Sequence, residues 1–321
     1  MKNNQLMIYG AYGYAGELMV REAVAQGLRP IIAGRDDEKL KPIATELSLE
    51  CRAFGVRNTG SNLQDISVLL NCAGPFSATA EPLARACLAQ QIHYLDITGE
   101  IDIFRKCHAL DEEARQQNVL ILPGAGTDIV PTDCLAAMLK EKLPVATRID
   151  LALSFGTNPS IGTVNTMIES FGKGGLIREG GMLKVVSNAF QMRKIPFQNK
   201  PQWAMTIPWG DVFTSGISTG VPDGAVYMAM PRMSIYMIRL TNPVKGILNT
   251  QFGQKITKRL AGWLMKKGPD AKALEAGRGQ FWGEAEAPDG EKLEMTMSTP
   301  NVYALTATVG IRIAQYCLDY T

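Results

Sequence analysis

Two sets of residues in the first 135 positions have the types and spacing to do chemistry. Gly10-Ala11-Tyr12-Gly13-Tyr14-Ala15-Gly16 sets three glycines three apart, directly after the apolar run Leu6-Met7-Ile8-Tyr9 and directly before a helical pattern. In a strand–turn–helix the first glycine permits the tight turn. The second lets the backbone approach a pyrophosphate, and the third lets helix and strand pack closely. The amides and dipole of the helix N-terminus then hold the phosphates. A second apolar run, Pro30-Ile31-Ile32-Ala33, ends in Gly34-Arg35-Asp36. An acidic residue at that tip bonds the ribose 2′-hydroxyl of NAD, whereas an arginine meets the 2′-phosphate of NADP. Arg35 holds the tip and Asp36 is expected to cap the next helix, so the pattern predicts NADP as cofactor. Its expected contacts are Gly10, Tyr12, Gly13, Tyr14, Ala15, Gly16, Gly34 and Arg35. The competing reading gives the ribose to Asp36 and leaves Arg35 a solvated surface charge.

The second set follows later strands. Cys72, Ala73, Gly74 and Pro75 come after the run Val68-Leu69-Leu70, and such small residues let a cofactor lie against the backbone. The plainer alternative is a strand-to-helix turn with no ligand. Cys72 reads as a packed small residue, because neither His93 nor His108 is an evident base for it. Asp96, Thr98 and Glu100 follow one strand, and Thr127, Asp128 and Asp133 follow the next. Reduction of a C=N or C=O bond needs a proton donor beside the hydride acceptor, and a buried carboxyl with a raised pKa suits that task. The catalytic candidates are therefore Asp96, Thr98, Glu100 and Asp128. Structural roles compete with each: Asp96 can bond the amides of its own turn, and Thr132 or Asp133 can cap a helix.

These residues need a scaffold that brings strand ends together, and the first 125 residues alternate strand and helix in the required way. A helix is expected from Ala15 to Gln26, closed by Gly27, and another from Asp36 to Leu47. A helix carrying Leu83, Ala84, Cys87 and Leu88 separates the strands near 68–70 and 93–97. One carrying Phe104, Cys107, Leu110 and Ala114 precedes the strand Val119–Leu122. Such alternation implies an α/β fold with a doubly wound parallel sheet, a Rossmann domain over residues 1–125. Past Pro123 the texture changes. A helix near 132–142 and a strand at 148–154 lead into glycine-rich stretches and two Pro-Asp-Gly turns, at 222–224 and 288–290. Leu293, Met295 and Met297 alternate with polar residues, which predicts one buried strand face. Residues 126–300 are thus expected to form an α+β domain with a mixed or antiparallel sheet. A final helix over 301–321 presents Val302, Leu305, Val309, Ile313 and Tyr316 on one side.

Composition excludes several classes. Thirty-three basic residues against 31 acidic ones give a net charge of +2 in 321 residues, so no field attracts nucleic acid or an anionic membrane. The six cysteines form no C-x-x-C pair and have no metal-ligand spacing to either histidine, so no metal site is expected. Single scattered cysteines suit the reducing cytoplasm. No signal peptide and no membrane-spanning apolar run is seen. The Tyr-x-x-x-Lys pair of short-chain dehydrogenases is also missing, since no tyrosine has a lysine four positions later.

Taken in order, Gly10–Gly16, Asn71–Phe76, Tyr94-Leu95-Asp96-Ile97-Thr98-Gly99-Glu100 and Gly124–Asp133 resemble the successive signatures of the saccharopine dehydrogenase/reductase superfamily. Gly162-Thr163 and the segment Pro300–Ala307 resemble it more loosely. The resemblance implies an NADP-dependent oxidoreductase acting on a small-molecule substrate. It also implies a mixed-sheet second domain, a last helix packing back on the first domain, and a homodimer. The superfamily includes trans-acting enoyl reductases, and a non-catalytic NADP sensor is the reading from a different class. An amino-acid-derived substrate would need cations for its carboxylates, with Arg148, Arg178, Lys184, Arg193, Arg232 and Arg278 available. An acyl substrate would instead need an apolar wall, for which Met182, Phe190, Trp203, Met205 and Trp209 are available. The nicotinamide is expected beside the Gly74-Pro75, Asp96–Glu100 and Gly124–Asp128 turns.

Overall fold

The computed structural model describes residues 4–155, 174–240, 242–244, 250 and 277–319. Gly162 and Thr163 lie outside the described residues. The chain divides into two compact units, residues 1–128 with 303–321 and residues 129–302.

In the first unit five apolar runs and one short edge segment become six parallel strands: β1 (Leu6–Tyr9), β2 (Ile31–Gly34), β3 (Cys51–Ala53), β4 (Val68–Asn71), β5 (His93–Asp96) and β6 (Ile121–Leu122). Their order, β3-β2-β1-β4-β5-β6, is the doubly wound order with its reversal at β1 and β4. Helices α1 (Tyr14–Ala25), α2 (Asp37–Leu47), α3 (Phe76–Ala89), α4 (Ile101–His108) and α5 (Asp111–Gln116) connect them. Because both sheet faces are covered, the strands need no polar alternation. Ile8, Ile32 and Leu70 pack with Met19 and Leu40 on one face, and Met7, Leu69 and Tyr94 pack with Leu83 and Cys107 on the other. Gly27 closes α1 in the left-handed region (φ +83°), with the Leu28 amide donating to the Ala23 carbonyl at 2.9 Å.

Several expectations shift here. β3 carries no apolar run, since Cys51, Arg52 and Ala53 are all partly or fully exposed on a sheet edge. The stripe Phe104–Ala114 is split into α4 and α5, with a break at Ala109-Leu110. The last helix, α9 (Val302–Asp319), turns a different face inward from the one its largest side chains mark. Ala307, Gly310, Ile311, Ala314 and Leu318 are buried, while Tyr316 is 63% exposed. Small residues win because the helix lies close to its neighbours: a Cβ on Gly310 would come within 2.7 Å of Met19 Cε.

The second unit is built on a mixed eight-stranded sheet. Its main path is β10 (Met192–Pro196), β11 (Pro201–Ile207), β12 (Asp223–Ala229), β7 (Arg148–Ser154), β13 (Gly279–Glu286) and β14 (Lys292–Thr299). β8 (Gly175–Glu179) pairs with β12 and β9 (Met182–Val186). Among the described strands of this sheet only β7 and β12 run parallel, and the other pairings are antiparallel. Helix α6 (Val130–Lys142) packs against β13, and Gly283 is required there because a Cβ would meet Leu139 at 2.7 Å. Helices α7 (Asp211–Thr219) and α8 (Arg232–Leu240) are the other described α-helices of this unit. α6 begins two residues earlier than the polar pair Thr132-Asp133 suggests, with Pro131 in its first turn. The sequence Pro222-Asp223-Gly224 does not make a turn but opens β12. Gly224 is needed because the Ile149 carbonyl would lie 2.4 Å from a Cβ. On edge strand β14, Leu293, Met295 and Met297 do share one face, although they are only half-buried.

Candidate cofactor and active site

The glycine run folds into a turn so tight that side chains are excluded at two of its three glycines. Gly10 has φ +85°, and a Cβ there would lie 2.7 Å from the Ala73 amide nitrogen. A Cβ on Gly16 would lie 2.2 Å from the Gly10 carbonyl oxygen. The turn is closed by the Gly13 amide donating to the Gly10 carbonyl at 2.9 Å, and α1 starts at the next residue. The amides of Gly10 and Ala11 both donate to the Ala33 carbonyl, at 2.7 and 3.1 Å, and so tie the turn to β2. The Cys72 amide donates to the Tyr9 carbonyl at 2.8 Å. Gly10–Gly16, Gly34 and Cys72-Ala73 are thereby gathered at the carboxyl end of the sheet where strand order reverses, the place such sheets bind ligands. The Tyr12 ring packs against Gly34, where a Cβ would come within 2.6 Å of it. Tyr14, Arg35, Gly74 and Pro75 are exposed, and Gly13, Ala15 and Ala73 half-buried. Burial pushes the Cys72 thiol far above its ordinary range, with Asp96 adding to the effect, and its Sγ lies 3.2 Å from Met19 Sδ.

At the tip of β2, Asp36 occupies the N-cap position of α2, yet its side chain makes no capping hydrogen bond. It pairs instead with Lys39 at 3.0 Å, and that contact pulls the carboxylate below its usual range. The ammonium of Lys39 lies 5.6 Å from the centre of the Tyr12 ring. Lys39, one helical turn past Arg35, is thus a second cation at this corner that the sequence pattern did not single out.

Asp96 is fully buried, and both carboxylate oxygens are used. Oδ1 accepts the Thr98 and Gly124 amides at 3.0 Å each, and Oδ2 accepts the Tyr94 hydroxyl at 2.8 Å. The Tyr94 oxygen in turn accepts Asn71 Nδ2 at 3.1 Å, and Asn71 Oδ1 accepts the Ala73 amide at 3.0 Å. Thr79 donates to the Ala73 carbonyl at 2.6 Å and accepts a longer bond from Asn71 at 3.3 Å. Burial pushes Asp96 up to about 6, against the three hydrogen bonds that favour its ionised form. Thr98 is also fully buried, with Oγ1 accepting the Glu100 amide at 3.1 Å. Glu100 is half-buried at the start of α4. Asp128, half-buried beyond the Gly124–Thr127 turn, is pushed up by burial to about 7. That turn is held from the other side by α9, whose Thr306 Oγ1 accepts the Thr127 amide at 3.1 Å and donates to Thr127 Oγ1 at 3.0 Å. Asn71, Tyr94 and Thr306 lie in segments singled out in the sequence but without an assigned role, and Thr79 went unmarked because it looks like ordinary helix filling.

Of the six cations singled out in the second unit, most are committed. Arg178 is buried on the carbonyls of Val212 and Val221. Arg148 pairs with Asp150 at 2.9 Å, and Lys184 pairs with Glu179. Arg193 reaches Glu284 at 3.1 Å and stacks 4.7 Å from the Trp282 ring centre, and Arg232 lies over Trp203. Arg278 is exposed. The apolar candidates separate as well: Met205 and Trp209 are buried, whereas Met182 and Phe190 are exposed at 73% and 45%. Among the described residues no cluster of His, Cys, Asp and Glu could hold a metal ion.

Comparison with known proteins agrees with this geometry. Residues 6–122 match the model of the saccharopine dehydrogenase NADP binding domain. A saccharopine dehydrogenase-like oxidoreductase of Rattus norvegicus is 25% identical over 231 residues, covering 63% of this chain and 53% of that protein. A protein of Mycobacterium tuberculosis named as a trans-acting enoyl reductase is 28% identical over 205 residues, covering 57% of this chain and 44% of that protein. The chain spans about half the length of the curated relatives it matches. Saccharopine dehydrogenase (L-Glu forming) from Saccharomyces cerevisiae shares the fold, with a TM-score of 0.66 over 99% of this chain and 92% of that one at 9% identity. Residues 6–122 therefore match the NADP-binding domain of the saccharopine dehydrogenase family, and the chain is similar over part of its length to the saccharopine dehydrogenase-like oxidoreductases.

Proposed function

We propose that this protein is an NADP-dependent oxidoreductase that transfers hydride to a C=N, C=O or C=C bond of a small substrate. The observation that carries the reading is the glycine turn between β1 and α1, closed against Ala73 and followed by Arg35 at the tip of β2. Gly10–Gly16 would hold the diphosphate, Arg35 the 2′-phosphate, and Cys72–Pro75 would border the nicotinamide half. When bound, NADPH would supply the hydride, and the chain must supply the proton. Of the four candidates, Asp128 fits best, being half-buried with a carboxyl near half-protonation at neutral pH. Asp96 and Thr98 are closed off by burial and serve better as supports.

The engagement of Arg148, Arg178, Lys184 and Arg193 within the fold favours a neutral acceptor, such as a carbonyl or enoyl group, over an amino-acid-derived one. The test is stopped-flow oxidation of bound NADPH against imines, 2-oxo acids and enoyl thioesters. Turnover of an enoyl or simple carbonyl compound, reduced at least tenfold in Asp128→Asn, is the expected result. Turnover only of dicarboxylic imines would overturn the neutral-acceptor reading, and turnover of any compound rules out a purely sensory protein.

A homodimer is proposed on the exposed apolar side chains of β9 and α8, where Met182, Val185, Met233, Met237 and Leu240 are all more than half exposed. Light scattering should give twice 35.0 kDa, and a single-chain mass at micromolar concentration contradicts it. We place the protein in the cytoplasm, where its six free thiols would stay reduced; cell fractionation tests this. No helix among the described residues is long and apolar enough to cross a membrane.

A further inference from the structure

We infer that Asn71, Tyr94, Asp96 and Thr79 form a positioning brace, one continuous hydrogen-bonded chain that sets the spacing of the three turns leaving β4, β5 and β6. The inference rests on the NADP reading above, because those are the turns expected beside the nicotinamide.

Each turn is fastened to the brace by its backbone. The β4 exit is held at Ala73 from two sides, its amide by Asn71 Oδ1 and its carbonyl by Thr79 Oγ1. The β5 exit is held at the Thr98 amide and the β6 exit at the Gly124 amide, both by Asp96 Oδ1. The Tyr94 hydroxyl joins the two ends, accepting from Asn71 and donating to Asp96. Asn71, Tyr94 and Asp96 are each completely buried, so none of them can touch a ligand directly. A buried polar network is costly unless every member is satisfied, and here the chain runs unbroken across three strands. Nothing in the parallel sheet itself demands it, because the strands are already joined by their own ladders. What the side chains add is a fixed separation between turns that lie beyond the last ladder pair. The Gly124–Thr127 turn is gripped a second time by Thr306 of α9, so it is fixed from both sides.

Such a brace would act on one half of the cofactor. The adenosine and its 2′-phosphate are expected at the Gly10–Gly16 turn and Arg35, which are bonded to β2 rather than to the brace. The nicotinamide half is expected at the braced turns. Loosening the brace should therefore weaken NADPH and leave adenosine 2′,5′-bisphosphate, which lacks the nicotinamide, unaffected. Loss of general stability would weaken both.

The experiment is a titration of wild type and of Tyr94→Phe, Thr79→Val and Thr79→Ser with NADPH and with adenosine 2′,5′-bisphosphate. Tyr94→Phe removes the central link, and Thr79→Val removes the outermost one at a half-buried site where folding is least at risk. The expected result is a loss of about tenfold in NADPH affinity for Tyr94→Phe, equivalent to one hydrogen bond's worth of positioning. A smaller loss is expected for Thr79→Val, with recovery in Thr79→Ser, whose hydroxyl is kept. Affinity for adenosine 2′,5′-bisphosphate should stay within twofold throughout. Equal losses for both ligands, or no loss for either, would overturn the brace while leaving NADP binding intact. Failure of the wild type to bind NADPH would overturn the cofactor reading itself, and the inference with it.

Discussion

The two units use buried polar groups in opposite ways. In the first unit most of them gather near one edge: Asn71, Asp96 and Thr98 lie at or just beyond strand ends, Tyr94 reaches them from within β5, and their bonds go largely to backbone amides. In the second unit they spread across a sheet face. Asp150 and Glu284 sit opposite each other on β7 and β13, with Arg193 from β10 bonded to both. The first pattern fixes backbone that can meet a ligand, whereas the second neutralises charge inside a sheet. An edge of fixed amides and carbonyls is what a nucleotide site requires, and a face of paired charges is what a mixed sheet needs to bury a polar stripe.

Glycine substitutions should give the largest effects and separate the two patterns. Gly16→Ala sets a Cβ 2.2 Å from the Gly10 carbonyl, and Gly224→Ala sets one 2.4 Å from that of Ile149. Backbone must move in both, at a cost of about 4 kcal/mol each by urea unfolding. Only Gly16→Ala should also abolish NADPH binding when assayed at low temperature, where both variants remain folded. Equal loss of binding in the two variants would erase the distinction.

Acid titration comes next. The folded values of Asp96 and Asp128 are raised, to about 6 and about 7, above the ordinary 3.8. The folded chain therefore holds protons that the unfolded chain has already lost. The stability these groups contribute is full below about pH 4 and disappears as pH rises through 6 and 7. The apo protein should be more stable at pH 5 than at pH 8 by about 2–4 kcal/mol from this source. Asp128→Asn should flatten most of that slope. A slope unchanged in the variant would show that Asp128 titrates normally.

Replacing Arg193 with methionine tests the second pattern alone. It keeps most of the stem against Trp282 but leaves Asp150 and Glu284 sharing a buried face without that cation, at a cost of about 2–3 kcal/mol. NADPH affinity should not change, and a parallel loss of affinity would mean that the two patterns are coupled. The smallest effect is expected at the tip of β2. Asp36→Asn breaks an exposed pair with Lys39 and should leave both stability and cofactor preference where they were. A clear loss of NADH affinity would return Asp36 to the role of ribose ligand.

The first sheet was legible because burial on both faces writes uninterrupted apolar runs, and because glycines at a tight turn leave a fixed spacing. β3 was missed for the converse reason, being an edge strand whose three residues carry no apolar signal. The inward face of α9 was misread because side-chain size was taken as the guide, when close approach to Met19 and Ala125 selects Ala307, Gly310 and Ala314. Asp36 was expected to cap α2, yet its carboxylate turns to Lys39, a choice that spacing does not reveal. The brace was half visible. Asp96 was open to a role in bonding backbone amides, but its partners Asn71 and Tyr94 lie on strands where polar atoms give no periodic signal. The commitments of Arg178 and Arg193 depend on strand register, which follows from pairings between residues far apart in the chain.

The most direct test of the central claim is a fluorescence titration of NADPH and NADH against the wild type and Arg35→Asp. Micromolar NADPH binding, weaker NADH binding and a reversed preference in the variant are the predicted result. Equal affinity of the wild type for the two cofactors, or a preference that Arg35→Asp leaves unchanged, would contradict the assignment of the β2 tip to the 2′-phosphate.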